Sequence, residues 1–123
     1  VASSAFAALP ISLAEADPNP RESTPGELLA AALAGYLGMH LALGMQRDGS
    51  PLRELVVEVQ LTVSPWPSYT TQAIGFSVRG RGGGGEEISS DAFASVAQKT
   101  LDTAMANMGL GPGLTRLDEA ELI

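Results

Sequence analysis

The stretch Thr24–Arg47, TPGELLAAALAGYLGMHLALGMQR, decides how the rest of the chain is read. Thr24 is placed as a helix N-cap. Pro25 follows at the first helical position, where its missing N–H costs nothing, and Glu27 stands where a capping box needs it. Gln46 and Arg47 suit the negative end of the helix dipole, and Gly49 suits a left-handed stop. Leu28 to Met45 is apolar nearly throughout, a length at the threshold for a membrane span. Its Ala and Gly content, the histidine inside it and the pattern of its flanks favour a different expectation. A helix apolar all round is expected to be buried on all sides of a soluble domain.

Outward from this helix, Glu54–Val63 (ELVVEVQLTV) alternates as a strand. Leu55, Val57, Val59, Leu61 and Val63 fall on one face, with Val56 the exception on the other. Ser64–Tyr69 (SPWPSY) is a turn, and Thr71–Arg79 is a second strand with Ile74, Phe76 and Val78 inward. These strands read as an antiparallel pair. Gly80–Gly85 is a glycine-rich loop. Ser90–Met108 is an amphipathic helix with the stripe Phe93, Ala97, Thr100, Leu101, Ala104 and Met108, closed by Gly109. Leu114–Ile123 is a last short edge strand, and Ala5–Ala14 a strand interrupted by Pro10. The expected fold class is α+β, a single domain over residues 1–123 with a mainly antiparallel sheet wrapped on two helices.

Composition removes several chemistries. The chain of 123 residues has no cysteine and one histidine, His40. Thiol nucleophiles, disulfides and cysteine-based zinc sites are therefore excluded, as is a site with several histidines. No metal or cofactor is expected. The net charge is −7, which opposes binding to nucleic acid or to an anionic membrane. Asp118, Glu119 and Glu121 are the one acidic cluster, read as a solvated tail or edge strand. No secretory signal is visible in the first residues, so a cytoplasmic location is expected.

Three constellations bear on function. Gly80-x-Gly82-x-x-Gly85 has the form of a dinucleotide fingerprint after a strand and before a helix. Glu86 and Glu87 stand where a pyrophosphate would need positive potential, and no parallel β-α-β pattern surrounds it, so a plain loop is the better reading. Arg79 and Arg81 among the glycines are a single short copy of an RGG-like pattern. Trp66 and Tyr69 are read either as an aromatic platform for a ligand or as a turn whose rings cap the end of the sheet or a dimer contact. Tyr36 and His40 lie one helical turn apart, on the face that also holds Leu29, Ala32, Leu43 and Arg47. A phenol and an imidazole in an aliphatic helix are costly to bury without partners, so they mark either a pocket with His40 as acid or base, or two satisfied side chains at the helix edge.

The segment PGELLAAALAGYLGMHLAL, the strand VVEVQLTV after it and the helix FASVAQKTLDTAMANM resemble the OsmC/Ohr family of osmotically induced and organic-hydroperoxide-resistance proteins. The resemblance runs from about Ser23 to the end. It implies an OsmC-like fold and an intertwined homodimer with pockets at the subunit interface. In that family each pocket holds a reactive cysteine and a resolving cysteine, and the pair reduces a peroxide. Here the first cysteine position is Tyr36 and the second is Ala104. The position of the family's catalytic glutamate is Gly26, with Glu27 beside it, and its assisting arginine has no aligned counterpart beyond the remote Arg21. Peroxidase chemistry through a thiolate is therefore closed to this chain. The expectation is a non-peroxidase homodimer whose interface pocket, lined by Tyr36, Met39 and His40, takes a small apolar ligand. The alternatives are an enzyme using His40 and Tyr36 as acid and base, or a purely structural or interaction role.

Overall fold

A computed structural model of the chain describes residues 25–64, 70–85, 87–111 and 113–123. The segment Ala5–Ala14, Arg21, the Thr24 cap, Trp66 and Tyr69 lie outside the described residues. The elements are α1 (Pro25–Arg47), β1 (Leu52–Val63), β2 (Thr71–Gly82), α2 (Ser90–Asn107) and β3 (Thr115–Leu122).

β1 and β2 form an antiparallel hairpin, with Val57 opposite Val78, Val59 opposite Phe76 and Leu61 opposite Ile74. At its closed end the Ser64 N–H donates to the Thr70 carbonyl, and the Thr70 N–H donates to Ser64 Oγ. β3 completes the sheet in the order β1-β2-β3 but runs parallel to β2. The described sheet is thus mixed and not mainly antiparallel. The reason is topological. Helix α2 returns the chain along the sheet, so the strand after it must start again at the same end as β2. The same fact corrects the reading of the glycine loop, because β2, α2 and β3 do form a parallel β-α-β unit.

Both helices pack on one face of the sheet. Leu33, Leu37, Leu41 and Met45 of α1, Ile74, Phe76 and Val78 of β2, and Phe93, Ala97, Leu101, Ala104 and Met105 of α2 make one buried core. Leu55, Val57, Val59 and Leu61 of β1 are half-buried against it. The inward alternation expected for both long strands holds, except at Val63. A register shift between Thr62 and Val63 ends the alternation, and Val63 is exposed. In β3 a register shift between Phe76 and Ser77 leaves Asp118 unpaired, so Asp118 and Glu119 both stay exposed between inward Leu117 and Ala120. The acidic cluster therefore lies on an edge strand, as expected.

The two helices end alike. Gly49 and Gly109 have φ of 84° and 77°. The Gly49 N–H donates to the Gln46 carbonyl and the Ser50 N–H to the Met45 carbonyl; Gly109 and Leu110 repeat this onto Ala106 and Met105. These are Schellman stops, in which glycine takes the left-handed conformation without a side-chain clash. The second stop places Met108 at the cap, where it is exposed. Met105, one residue after Ala104, takes the core position expected of Met108. At the start of α2, Ser89 caps the helix by accepting from the Ala92 N–H at 3.1 Å.

Helix α1 departs most from expectation. It buries one stripe, not its whole circumference. Leu29, Met39 and Leu43 are 41%, 52% and 49% exposed in the single chain. α1 is long and apolar enough to cross a membrane by length and composition, yet one of its faces is built into the domain core.

Phe93 is fully buried, and its ring would crowd any side chain added at Gly80. Phe93→Ala is expected to lower unfolding free energy by about 3–5 kcal/mol, read from urea denaturation. Met108→Ala, at the exposed cap, should change it by less than about 0.5 kcal/mol.

Candidate functional site

The candidate site is the outward face of α1. Residues 29, 32, 36, 39 and 43 recur at alternating steps of three and four, which on a helix makes one continuous stripe. The stripe is Leu29, Ala32, Tyr36, Met39 and Leu43, with His40 beside it. Opposite it, small residues let α1 approach the sheet. A Cβ at Gly38 would lie 3.6 Å from Val57 Cγ2, and one at Gly26 would lie 3.9 Å from Leu61 Cδ1. The helix is thereby packed on the sheet and core by its inner faces.

Tyr36 and His40 are both half-buried, and their rings meet edge to face with centroids 4.6 Å apart at 62°. Such contacts contribute roughly 0.5–1.5 kcal/mol. Among the described residues no side chain hydrogen-bonds or forms an ion pair with either, and neither has a buried polar atom lacking a partner. Their phenol oxygen and ring nitrogens therefore open towards the uncovered side. The pair can donate to and accept from a ligand. It has no carboxylate to orient the imidazole, so no relay of nucleophile, base and orienting acid exists within the described residues.

Of the other expected positions, Ala104 is buried on α2 within the core, and Tyr36 is half-buried against that same core. Gly26 lies in the first turn of α1, opposite Leu61, and carries no side chain for catalysis. Met39, on the stripe, is the most exposed of its large apolar residues. Among the described residues there is no group of three or more His, Asp or Glu side chains placed to hold a metal ion. The ion pairs Arg81–Glu54 at 3.7 Å and Arg116–Asp118 at 2.6 Å are both solvent-exposed, so they contribute little to stability.

A second concave region was not singled out as a site by the sequence. A cleft of about 520 Å³ opens where the end of α1, the glycine loop and the start of α2 meet. Neither Tyr36, Met39 nor His40 lines it. The signal that could have found it is the pairing of a helix stop at Gly49 with a glycine-rich loop that packs against it.

No protein-family model matches the chain, and no curated protein matches its sequence. Similarity appears among solved structures. An OsmC-like protein of unknown function from Vibrio cholerae superposes with a TM-score of 0.69 at 11% identity, over 94% of this chain and 75% of that one. An OsmC-like protein from Mycoplasma pneumoniae gives 0.61 at 13% identity, over 84% and 74%. An organic hydroperoxide resistance protein OsmC from Legionella pneumophila gives 0.59 at 10% identity, over 84% and 72%. The chain therefore has the OsmC-like fold, on a sequence with no cysteine. At these identities the likeness concerns the fold and does not carry activity with it.

The ring contact is testable in the free protein. Tyr36→Leu should remove the ring-current contribution to the His40 imidazole proton resonances, read by proton NMR, while the far-ultraviolet circular dichroism spectrum stays unchanged.

Proposed function

We propose that this chain is a cytoplasmic OsmC/Ohr-like stress-response protein that has lost the thiol peroxidase site and acts as a homodimer. Its interface holds a small pocket for an apolar ligand beside Tyr36, Met39 and His40. The observation that carries this reading is the open stripe of α1. Leu29, Met39 and Leu43 stay largely exposed on a helix that buries Leu33, Leu37, Leu41 and Met45 in the core. A monomer gains nothing from displaying aligned large apolar residues, and a contiguous apolar patch of this kind marks an association surface. A second copy offers the same stripe, and a two-fold axis would set each α1 against its mate as an isologous contact. The OsmC-like fold supports the same arrangement.

The chemistry of the pocket follows from its residues. Tyr36 fills the position where the resembled family has its reactive thiol, Ala104 the resolving position, and Gly26 the glutamate position. No thiolate is present to attack a peroxide. What remains is a hydrophobic lining with a phenol and an imidazole at its edge, which suits binding of a small, mostly apolar molecule. Acid–base catalysis by His40 and Tyr36 is the weaker reading, because nothing in the described residues orients the imidazole.

Light scattering on purified protein should give twice the mass of one chain. Met39→Glu should weaken the dimer by about 30-fold or more, since burying an unpaired carboxylate costs about 2 kcal/mol at the least. Cumene hydroperoxide with dithiothreitol should show no turnover above the protein-free rate. A monomeric wild-type mass or clear peroxide turnover would sink this reading.

A further inference from the structure

The cleft at the glycine loop is separate from the α1 stripe and is a built cavity with its own polar centre. Its floor and walls include Met45, Leu52, Ile88 and Leu122, which are apolar. Its polar groups are Ser50, Ser90 and Glu87. Ser50 is the informative one. It is 6% exposed, the one buried polar residue among those described, and it follows the Schellman stop of α1. Its hydroxyl has no hydrogen-bond partner among the described residues. No buried side-chain oxygen there is left both covered and unsatisfied, so the Ser50 oxygen reaches into the cleft. That oxygen is therefore accessible to a water or a ligand in the cleft. Across from it, Ser90 Oγ donates to the Leu122 carbonyl at a long 3.4 Å and keeps its own lone pairs free.

The glycines shape this cleft but do not cradle a phosphate. A Cβ at Gly85 would come within 2.5 Å of the Gly49 carbonyl oxygen and of Pro51 Cδ, and one at Gly83 within 2.9 Å of the Pro51 carbonyl oxygen. The Gly83 N–H is already given to Pro51. These residues are glycine because the loop lies on the α1–β1 connection. Among the described residues no Lys, Arg or His lines the cleft, and Glu87 does. From those residues a phosphate or carboxylate would meet only negative side-chain charge.

We infer that this cleft binds a small aliphatic amine in its ammonium form. The hydrocarbon part lies on Met45, Leu52, Ile88 and Leu122. The ammonium head hydrogen-bonds Ser50 Oγ and pairs with the Glu87 carboxylate. The volume is in the range of small-molecule sites, and the chain's net charge of −7 favours a cation over an anion.

The test uses the full chain, labelled with nitrogen-15, titrated separately with hexylammonium chloride, 1-hexanol and sodium hexanoate. Hexylammonium should move the amide resonances of residues 45–52 and 82–90. It should bind more tightly than hexanol and at least tenfold more tightly than hexanoate. Glu87→Gln, at an exposed site, should weaken hexylammonium about fivefold and leave hexanol unchanged. Ser50→Ala should weaken both by about threefold. Hexanoate binding as well as hexylammonium, shifts centred on α1 residues 29–43, or no shifts at millimolar ligand would each overturn the proposal. The order of the three ligands on the unmodified chain decides it even if a variant fails to fold.

Discussion

The structure depends on how the surface of one apolar helix is shared out. α1 has three faces. Along one ridge Gly26, Ala30, Ala34 and Gly38 recur every four residues, and the two glycines sit against Leu61, Val57 and Leu55 of β1. Along the next, Leu33, Leu37, Leu41 and Met45 are buried among residues of β2 and α2. Each such large side chain contributes roughly 1.5–3 kcal/mol on full burial. The small residues on the first ridge let the helix lie close enough to the sheet for the second ridge to be covered. The third face, with Leu29, Met39 and Leu43 exposed and Tyr36 half-buried, is not covered by the described residues. The fold settles two faces of the helix and leaves the third as the place where function is to be sought.

The ends of the two helices set the other concave region. Both stop one residue before a left-handed glycine, and both use a methionine carbonyl, Met45 or Met105, as acceptor for the residue after that glycine. At the end of α1 this stop turns the chain within the short run Asp48–Pro51 into β1. The glycine loop after β2 then lies on that turn, with Gly83 and Gly85 too close to its backbone to carry a side chain. The start of α2, capped by Ser89, faces the same space. A tight helix stop, a glycine loop and a serine cap thus enclose a cleft for reasons that are first of all structural, and Ser50 is the residue that those reasons do not account for.

Much of the fold was legible because periodicity reports the local environment. Leu55, Val57, Val59 and Leu61 were correctly placed inward, as were Ile74, Phe76 and Val78, because a half-buried strand must alternate. Gly49 and Gly109 were legible as stops because few other residues tolerate their backbone. What escaped was non-local. The parallel pairing of β3 with β2 depends on how α2 crosses the sheet, and no residue of Thr115–Leu122 records that. The slip at Val63 and the unpaired Asp118 arise from register shifts, which have no side-chain signature. Met105 and Met108 differ by three residues and look alike in a stripe, and only the position of the cap separates them. The candidate site was legible in part. Tyr36 and His40 were placed together by their spacing, while the cleft at Ser50 joins segments more than thirty residues apart.

The two aromatic side chains on α1 constrain any surface that covers the third face. A seam of Leu, Ala and Met alone could close dry. Tyr36 and His40 carry polar atoms that have no partner among the described residues of their own chain. Covering them without new hydrogen bonds would cost about 1–3 kcal/mol for each unsatisfied group, enough to cancel the burial of a neighbouring leucine. A surface that packs on Leu29 and Leu43 must therefore bring a hydrogen-bonding group, leave room for water, or admit a ligand at the middle of the helix. The stripe itself is apolar at both ends and polar at its middle, so the demand for a hydrogen-bonding partner falls on whatever meets Tyr36 and His40.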